Sequence, residues 1–263
     1  MTHIGYQLSS ITPYLDTLDN LRRAFKKIAN MGYKYVQLQG ASLDIPDSEI
    51  RKALDDNELI CVATQEDYIL GFGDDPDRYI RRAVTVGAKC LAFALMPFDI
   101  STPEELEVFA QKILVIKDKV NCAGLDFAFH PIGPDYRIME GIPVYERLMS
   151  LLPEDTQLVL CVQSTFGGPV HYKDVLKSFA GRIRYVHFKD GILLPENASQ
   201  LMSFGDVEDD WVQIYETDIP AGVNNLAFMV NTQEIKTKSQ LNAHVHKVLR
   251  IKKKVERSEL SFA

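Results

Sequence analysis

The sequence predicts an α/β fold, a single (β/α)8 TIM barrel spanning residues 1–263, and three observations carry that expectation. Eight short apolar runs alternate along the chain with stretches whose apolar residues recur at helical spacing. The length of 263 residues is close to that of one such barrel. Late in the chain, Arg182-Ile183-Arg184-Tyr185-Val186-His187-Phe188-Lys189-Asp190 is an apolar β run that carries a histidine near its C-terminal end. In this architecture the C-terminal ends of the strands are where chemistry is done.

Each element follows in order. Ile4–Ser9 reads as a first strand, and Leu18 to Met31 as a helix whose Leu18, Leu21, Phe25 and Ile28 share one face, stopped by Gly32. Tyr35–Leu38 is a second strand, with a helix from Asp47 to Leu54 behind it. Ile60–Ala63 is the third, followed by a helix from Pro76 to Val86 that ends at Gly87. Cys90–Leu95 is almost wholly apolar, as a strand buried on both faces should be. Thr102-Pro103-Glu104-Glu105 then opens a helix with a cap, a proline at its first position and acidic residues in its first turn. Asp126–Phe129, Gln157–Cys161, Tyr185–Phe188 and Leu226–Val230 complete the strands, with helices between them and after the last. An open doubly wound sheet is the alternative, but no Gly-x-Gly-x-x-Gly follows the first strand. The longest loop, about Asp190 to Asp210, lies on the catalytic side, where a loop of that length is expected to serve function or to move.

Composition narrows the function classes. A hydrophobic share of 46% and a charged share of 25% are those of an ordinary globular protein. A net charge of −7 leaves no basic footprint for nucleic acid. The basic cluster Arg250, Lys252, Lys253, Lys254 reads as the solvated end of a last helix. No apolar run approaches the ~20 residues needed to span a membrane, and Met1-Thr2-His3 lacks signal-peptide features. The scattered cysteines Cys61, Cys90, Cys122 and Cys161 read as thiols of a reducing cytoplasm. The expected partner is therefore a small molecule, with neither nucleic acid nor membrane; a homo-oligomer is compatible with the sequence but not specified by it.

Several segments resemble one family. Ile4-Gly5-Tyr6-Gln7-Leu8, Met31-Gly32-Tyr33-Lys34-Tyr35-Val36-Gln37-Leu38, Phe127-Ala128-Phe129-His130-Pro131, Leu158-Val159-Leu160-Cys161, Val186-His187-Phe188-Lys189-Asp190 and Phe204-Gly205-Asp206-Val207-Glu208-Asp209-Asp210-Trp211 occur in order and at sensible spacings. Together they resemble strands and loops of the sugar phosphate isomerase/epimerase family, the xylose-isomerase-like barrels; the Val-His-Phe-Lys-Asp run is the sharpest match. That resemblance implies a divalent metal at the barrel mouth, held by two carboxylates, an Asp and a His. The metal and a carboxylate together carry a hydroxy-ketone through an enediolate, which is Lewis-acid and acid/base chemistry.

Carried over residue by residue, the four ligand positions read His130, Cys161, His187 and Asn231. Gln37 stands for a second-strand Glu and Gln65 for a third-strand His, so nearly every charged group has become neutral. Two imidazoles and a thiolate suit zinc better than manganese or magnesium. The resemblance thus implies His130, Cys161 and His187 as metal ligands, His130 and Lys189 as catalytic groups, and Gln37, Gln65, Gln163 and Asn231 as substrate-binding residues. Glu66 and Asp67 are weighed as a base at the mouth against solvated loop charges, and the second reading is favoured. His171, His244 and His246 fall in helix patterns and read as surface residues. The implied activity is isomerisation or epimerisation of a small sugar, ketose or keto-polyol. The alternative is a barrel without turnover, kept as a ligand- or partner-binding module.

Overall fold

Eight parallel strands close on themselves into one barrel in a computed structural model that describes residues 3–165, 168–188, 191–193, 199–201 and 227–230. The strands are β1 (His3–Gln7), β2 (Tyr35–Leu38), β3 (Ile60–Asp67), β4 (Cys90–Ala94), β5 (Asp126–Phe129), β6 (Gln157–Cys161), β7 (Ile183–Phe188) and β8 (Ala227–Val230). Each pairs with its neighbours in chain order, and β8 closes on β1 with Tyr6 opposite Val230. The helices between them are α1 (Leu18–Asn30), α2 (Asp47–Asp56), α3 (Pro76–Val86), α4 (Pro103–Cys122), α5 (Val144–Leu151) and α6 (Tyr172–Ser178). Lys189, Asn231, His244, His246 and the segment from Phe204 to Trp211 lie outside the described residues. Among those described, no helix is long and apolar enough to cross a membrane.

Local chemistry sets the helix ends. Thr102 and Glu105 form a reciprocal capping box at the start of α4. Asp75 caps α3, Pro76 occupies its first turn, and Gly87 ends it with φ of 81°, a conformation that favours glycine. His171 is the N-cap of α6, not a helical residue: its Nδ1 accepts from the Lys173 backbone N–H at 3.2 Å. The third strand runs four residues past Ala63, because Thr64 to Asp67 keep pairing with Leu91 to Ala94 even though their side chains are polar. Glu66 and Asp67 are therefore strand residues. The expected long loop after β7 begins with a short antiparallel pairing of 191–193 with 199–201.

Alternation along each strand divides the interior in two. The outer layer, between sheet and helices, holds the large side chains, including Phe93 stacked on Phe127 at 5.3 Å and on Phe129 at 4.7 Å. The lumen holds Ala63, Cys90, Ala92, Ala128 and Val159 around Tyr185. Cys61, Cys90 and Cys161 are buried free thiols as expected, whereas Cys122 is exposed at the end of α4.

A buried arginine anchors the loop after β2. The Arg82 Nε donates to Asp47 at 2.6 Å, and its terminal nitrogens donate to the carbonyls of Ala41, Ser42 and Ile45 at 2.9 to 3.1 Å. Gln65 points into the lumen, so Glu66 turns to this outer layer. There burial pushes its carboxyl up to about 8, against the opposing pull of Arg82.

Two outcomes follow. Arg82→Met should cost about 3–5 kcal/mol in denaturant unfolding, since it strands a half-buried carboxylate and three carbonyls; a loss below about 1 kcal/mol would show that Arg82 is not an anchor. Glu66 keeps its proton up to about 8 when folded and releases it near 4.5 when unfolded, so the folded state binds more protons in that window and stability falls as pH rises through it. The slope approaches about 1.4 kcal/mol per pH unit. Glu66→Gln should flatten this decline and exceed the wild-type chain in stability at alkaline pH; parallel pH profiles in urea melts would refute the assignment.

Candidate active site

Above the Tyr185 layer a set of polar side chains enters the lumen. Gln37 on β2, Gln65 on β3, His130 just past β5 and His187 on β7 all face inward near the C-terminal ends of their strands, and all are buried. Three of the four come from alternate strands, the way layers form inside such barrels. The small residues beneath matter here: Ala63, Ala92 and Ala128 leave room for the Tyr185 ring, whose hydroxyl donates to the Val62 carbonyl at 3.4 Å. That ring closes the lumen below the polar layer.

The four side chains form a closed hydrogen-bonded ring. Gln37 Nε2 donates to Gln65 Oε1 at 3.1 Å, and Gln65 Nε2 lies 3.4 Å from His130 Nδ1. His130 Nε2 faces His187 Nδ1 at 3.1 Å, and His187 Nε2 returns to Gln37 Oε1 at 2.7 Å. The amide orientations assign the hydrogens. Gln65 donates to His130 Nδ1, so the His130 hydrogen sits on Nε2 and donates to His187 Nδ1; the His187 hydrogen then sits on its own Nε2 and donates to Gln37. In this arrangement four contacts use four hydrogens, all running in one direction, which matches one hydrogen on each imidazole.

Cys161, the last residue of β6, lies directly beside His187 in the strand register. Its sulfur and one nitrogen of each imidazole all lie within 4.8 Å of one another. The facing nitrogens at 3.1 Å are near the ~3.3 Å separation of two nitrogens on a tetrahedral zinc. The donor set therefore fits a soft divalent cation.

Of the residues nominated from sequence, the fold brings His130, Cys161, His187, Gln37 and Gln65 together. Gln163, two residues beyond Cys161, is buried, and its Nε2 has no hydrogen-bond partner among the described residues. Asp67, at the end of β3, has its carboxyl raised by burial. Several groups were not nominated. Gln7 sits level with Gln37 in the register, and its Nε2 donates to Gln39 at 2.5 Å. Its parity with Gly5 and its place at the strand's C-terminal end were the available signal. Asp135 and Tyr136, in the short 3-10 turn after β5, are fully buried. Asp135 holds the Ile132 N–H with one oxygen, and burial pushes its carboxyl up to about 7. The Tyr136 hydroxyl has no partner among the described residues. Nothing in the spacing marked either one.

The fold is that of the xylose-isomerase-like TIM barrels. The chain is similar to a sugar phosphate isomerase/epimerase from Parabacteroides distasonis, with a TM-score of 0.74 and 15% identity over 93% of this chain and 91% of that one. It is similar to an L-ribulose 3-epimerase, with a TM-score of 0.72 and 13% identity over 100% and 99% of the two chains. It is also similar to the IolI protein, solved with a bound zinc atom, with a TM-score of 0.70 and 13% identity over 95% and 97%. No family model and no curated protein sequence matches the chain.

Proposed function

We propose that this chain is an isomerase or epimerase of a small polyhydroxy carbonyl compound, a ketose or keto-polyol, and that its two lumen imidazoles move the proton. The observation that carries this reading is the direct hydrogen bond between His130 and His187 in the polar layer at the strand ends. A substrate that parts this bond meets a bare Nδ1 on His187 and an N–H on His130. The lone pair accepts the proton from the carbon beside the carbonyl, leaving His187 as an imidazolium, while the His130 N–H donates a hydrogen bond to the carbonyl oxygen and stabilises the enediolate. The His187 imidazolium then returns its proton to the enediolate, which completes the transfer. In this reading His187 carries the lone pair and His130 the hydrogen.

The surrounding groups support the same substrate class. Gln163 Nε2 is a buried donor in want of an acceptor and would bind a substrate oxygen. Lys189 and Asn231 keep the catalytic and substrate-binding roles that the family resemblance implies. The names of the similar structures, a sugar phosphate isomerase/epimerase and an L-ribulose 3-epimerase, support sugar chemistry. His130, Cys161 and His187 would hold a divalent cation, zinc before manganese, and the zinc atom in IolI supports that assignment. When bound, the cation supplies Lewis acidity that stabilises an enediolate oxygen.

An active chain should exchange a carbon-bound substrate hydrogen with deuterated water. His130→Ala and His187→Ala should each lower that exchange at least ~100-fold, the scale of a lost general acid or base, with the fold intact. Mass spectrometry over a panel of ketoses and keto-polyols, with zinc and manganese supplied, is the measurement. Binding without exchange across the panel would replace this reading with the binding module.

A further inference from the structure

Counting hydrogens around the lumen ring exposes a conflict between the two buried amides and any cation seated on the imidazoles. A cation held by His130 Nε2 and His187 Nδ1 needs a lone pair on both nitrogens. Each neutral imidazole then carries its one hydrogen on the outer nitrogen, so His187 donates to Gln37 and His130 donates to Gln65. Both glutamines must turn a carbonyl oxygen toward an imidazole. Their amide NH2 groups are left facing each other across the contact that, in the ring as it stands, is the 3.1 Å Gln37-to-Gln65 hydrogen bond. Two donors meet with no acceptor, in residues only 0% and 3% exposed. Starting instead from a ring that runs the other way leads to the same collision.

We propose that the Gln37–Gln65 amide pair is a positioning device that holds the imidazoles in their mutually bonded, neutral tautomers and sets the cation affinity of the site low. One carboxylate in place of either amide removes the conflict. It accepts from its imidazole and from the remaining amide at once, leaving both facing nitrogens bare for a cation, whose charge it also offsets. Two carboxylates overshoot, because they face each other without a hydrogen between them. The inference rests on the cation site described under the proposed function, but it does not require catalysis.

The test is zinc affinity of the full chain, measured by competition with a chromophoric chelator. Gln37→Glu and Gln65→Glu should each bind zinc roughly 10- to 100-fold tighter than the wild-type chain. The double variant should bind more weakly than either single one. A simple charge effect would instead give further tightening, and that result overturns the proposal, as does a single variant no tighter than wild type. Nitrogen-15 spectra of the wild-type imidazoles give a second readout that survives any folding failure of the variants. Without metal, His130 and His187 should share one tautomer, both protonated on Nε2 or, in the reversed ring, both on Nδ1; opposite tautomers would overturn the proposal. Tight zinc binding by single variants alone supports the amide pair and removes zinc from the native chemistry. No binding by any variant overturns both the pair and the cation site, while the proton-transfer reading stands or falls on deuterium exchange.

Discussion

Two histidines buried inside a barrel must find partners for four ring nitrogens or leave polar atoms stranded in a low dielectric. The direct bond between His130 and His187 meets half of that demand, and the amides of Gln37 and Gln65 meet the other half. Much else in the architecture follows from closing this ring. The four residues stand on or just past four different strands, so the ring forms only if the barrel closes with the observed register. A shift of one residue on any of these strands would turn its side chain out to the helix layer.

Packing below the ring serves the same end. Alanines at 63, 92 and 128 are unusual in a lumen that large branched residues would ordinarily fill. Here they make way for one aromatic ring, Tyr185, which shuts the base of the polar layer. The bulk lost from the lumen is made up outside it, where Phe93, Phe127 and Phe129 stack between sheet and helices. The polar layer is thus held on a rigid floor. Arg82 does comparable service beside the mouth, fixing the loop after β2 through three backbone carbonyls.

The ring has a chemical character distinct from an oxygen-rich metal centre. Each contact carries one hydrogen, so seating one cation disturbs three of its four contacts. Two of the nearby carboxylates serve elsewhere. Glu66 turns away from the lumen, and Asp135 grips the Ile132 backbone. In the proposed reading proton traffic falls to the imidazoles, which can change charge near neutral pH where amides cannot.

The strands Tyr35–Leu38, Asp126–Phe129 and Gln157–Cys161 and the helix Pro76–Val86 were legible in the sequence to the residue, because hydrophobic periodicity and capping chemistry are local properties. The same is true of the nomination of His130, Cys161 and His187, whose positions at strand ends depend only on where strands stop. The other five strands begin or end elsewhere. In β3 backbone pairing, not side-chain polarity, decides the length: Gln65 and Glu66 look like loop residues until the β4 ladder reaches them. Which way Glu66 faces, and that Gln37 reaches His187 across the lumen, could not be read from one dimension. The residues of that contact lie 150 positions apart, and only barrel closure sets the distance between them. Sequence determined which groups stand at the mouth. Tertiary structure decided which of them share hydrogens, because a hydrogen-bond ring is a property of closure and not of any one strand.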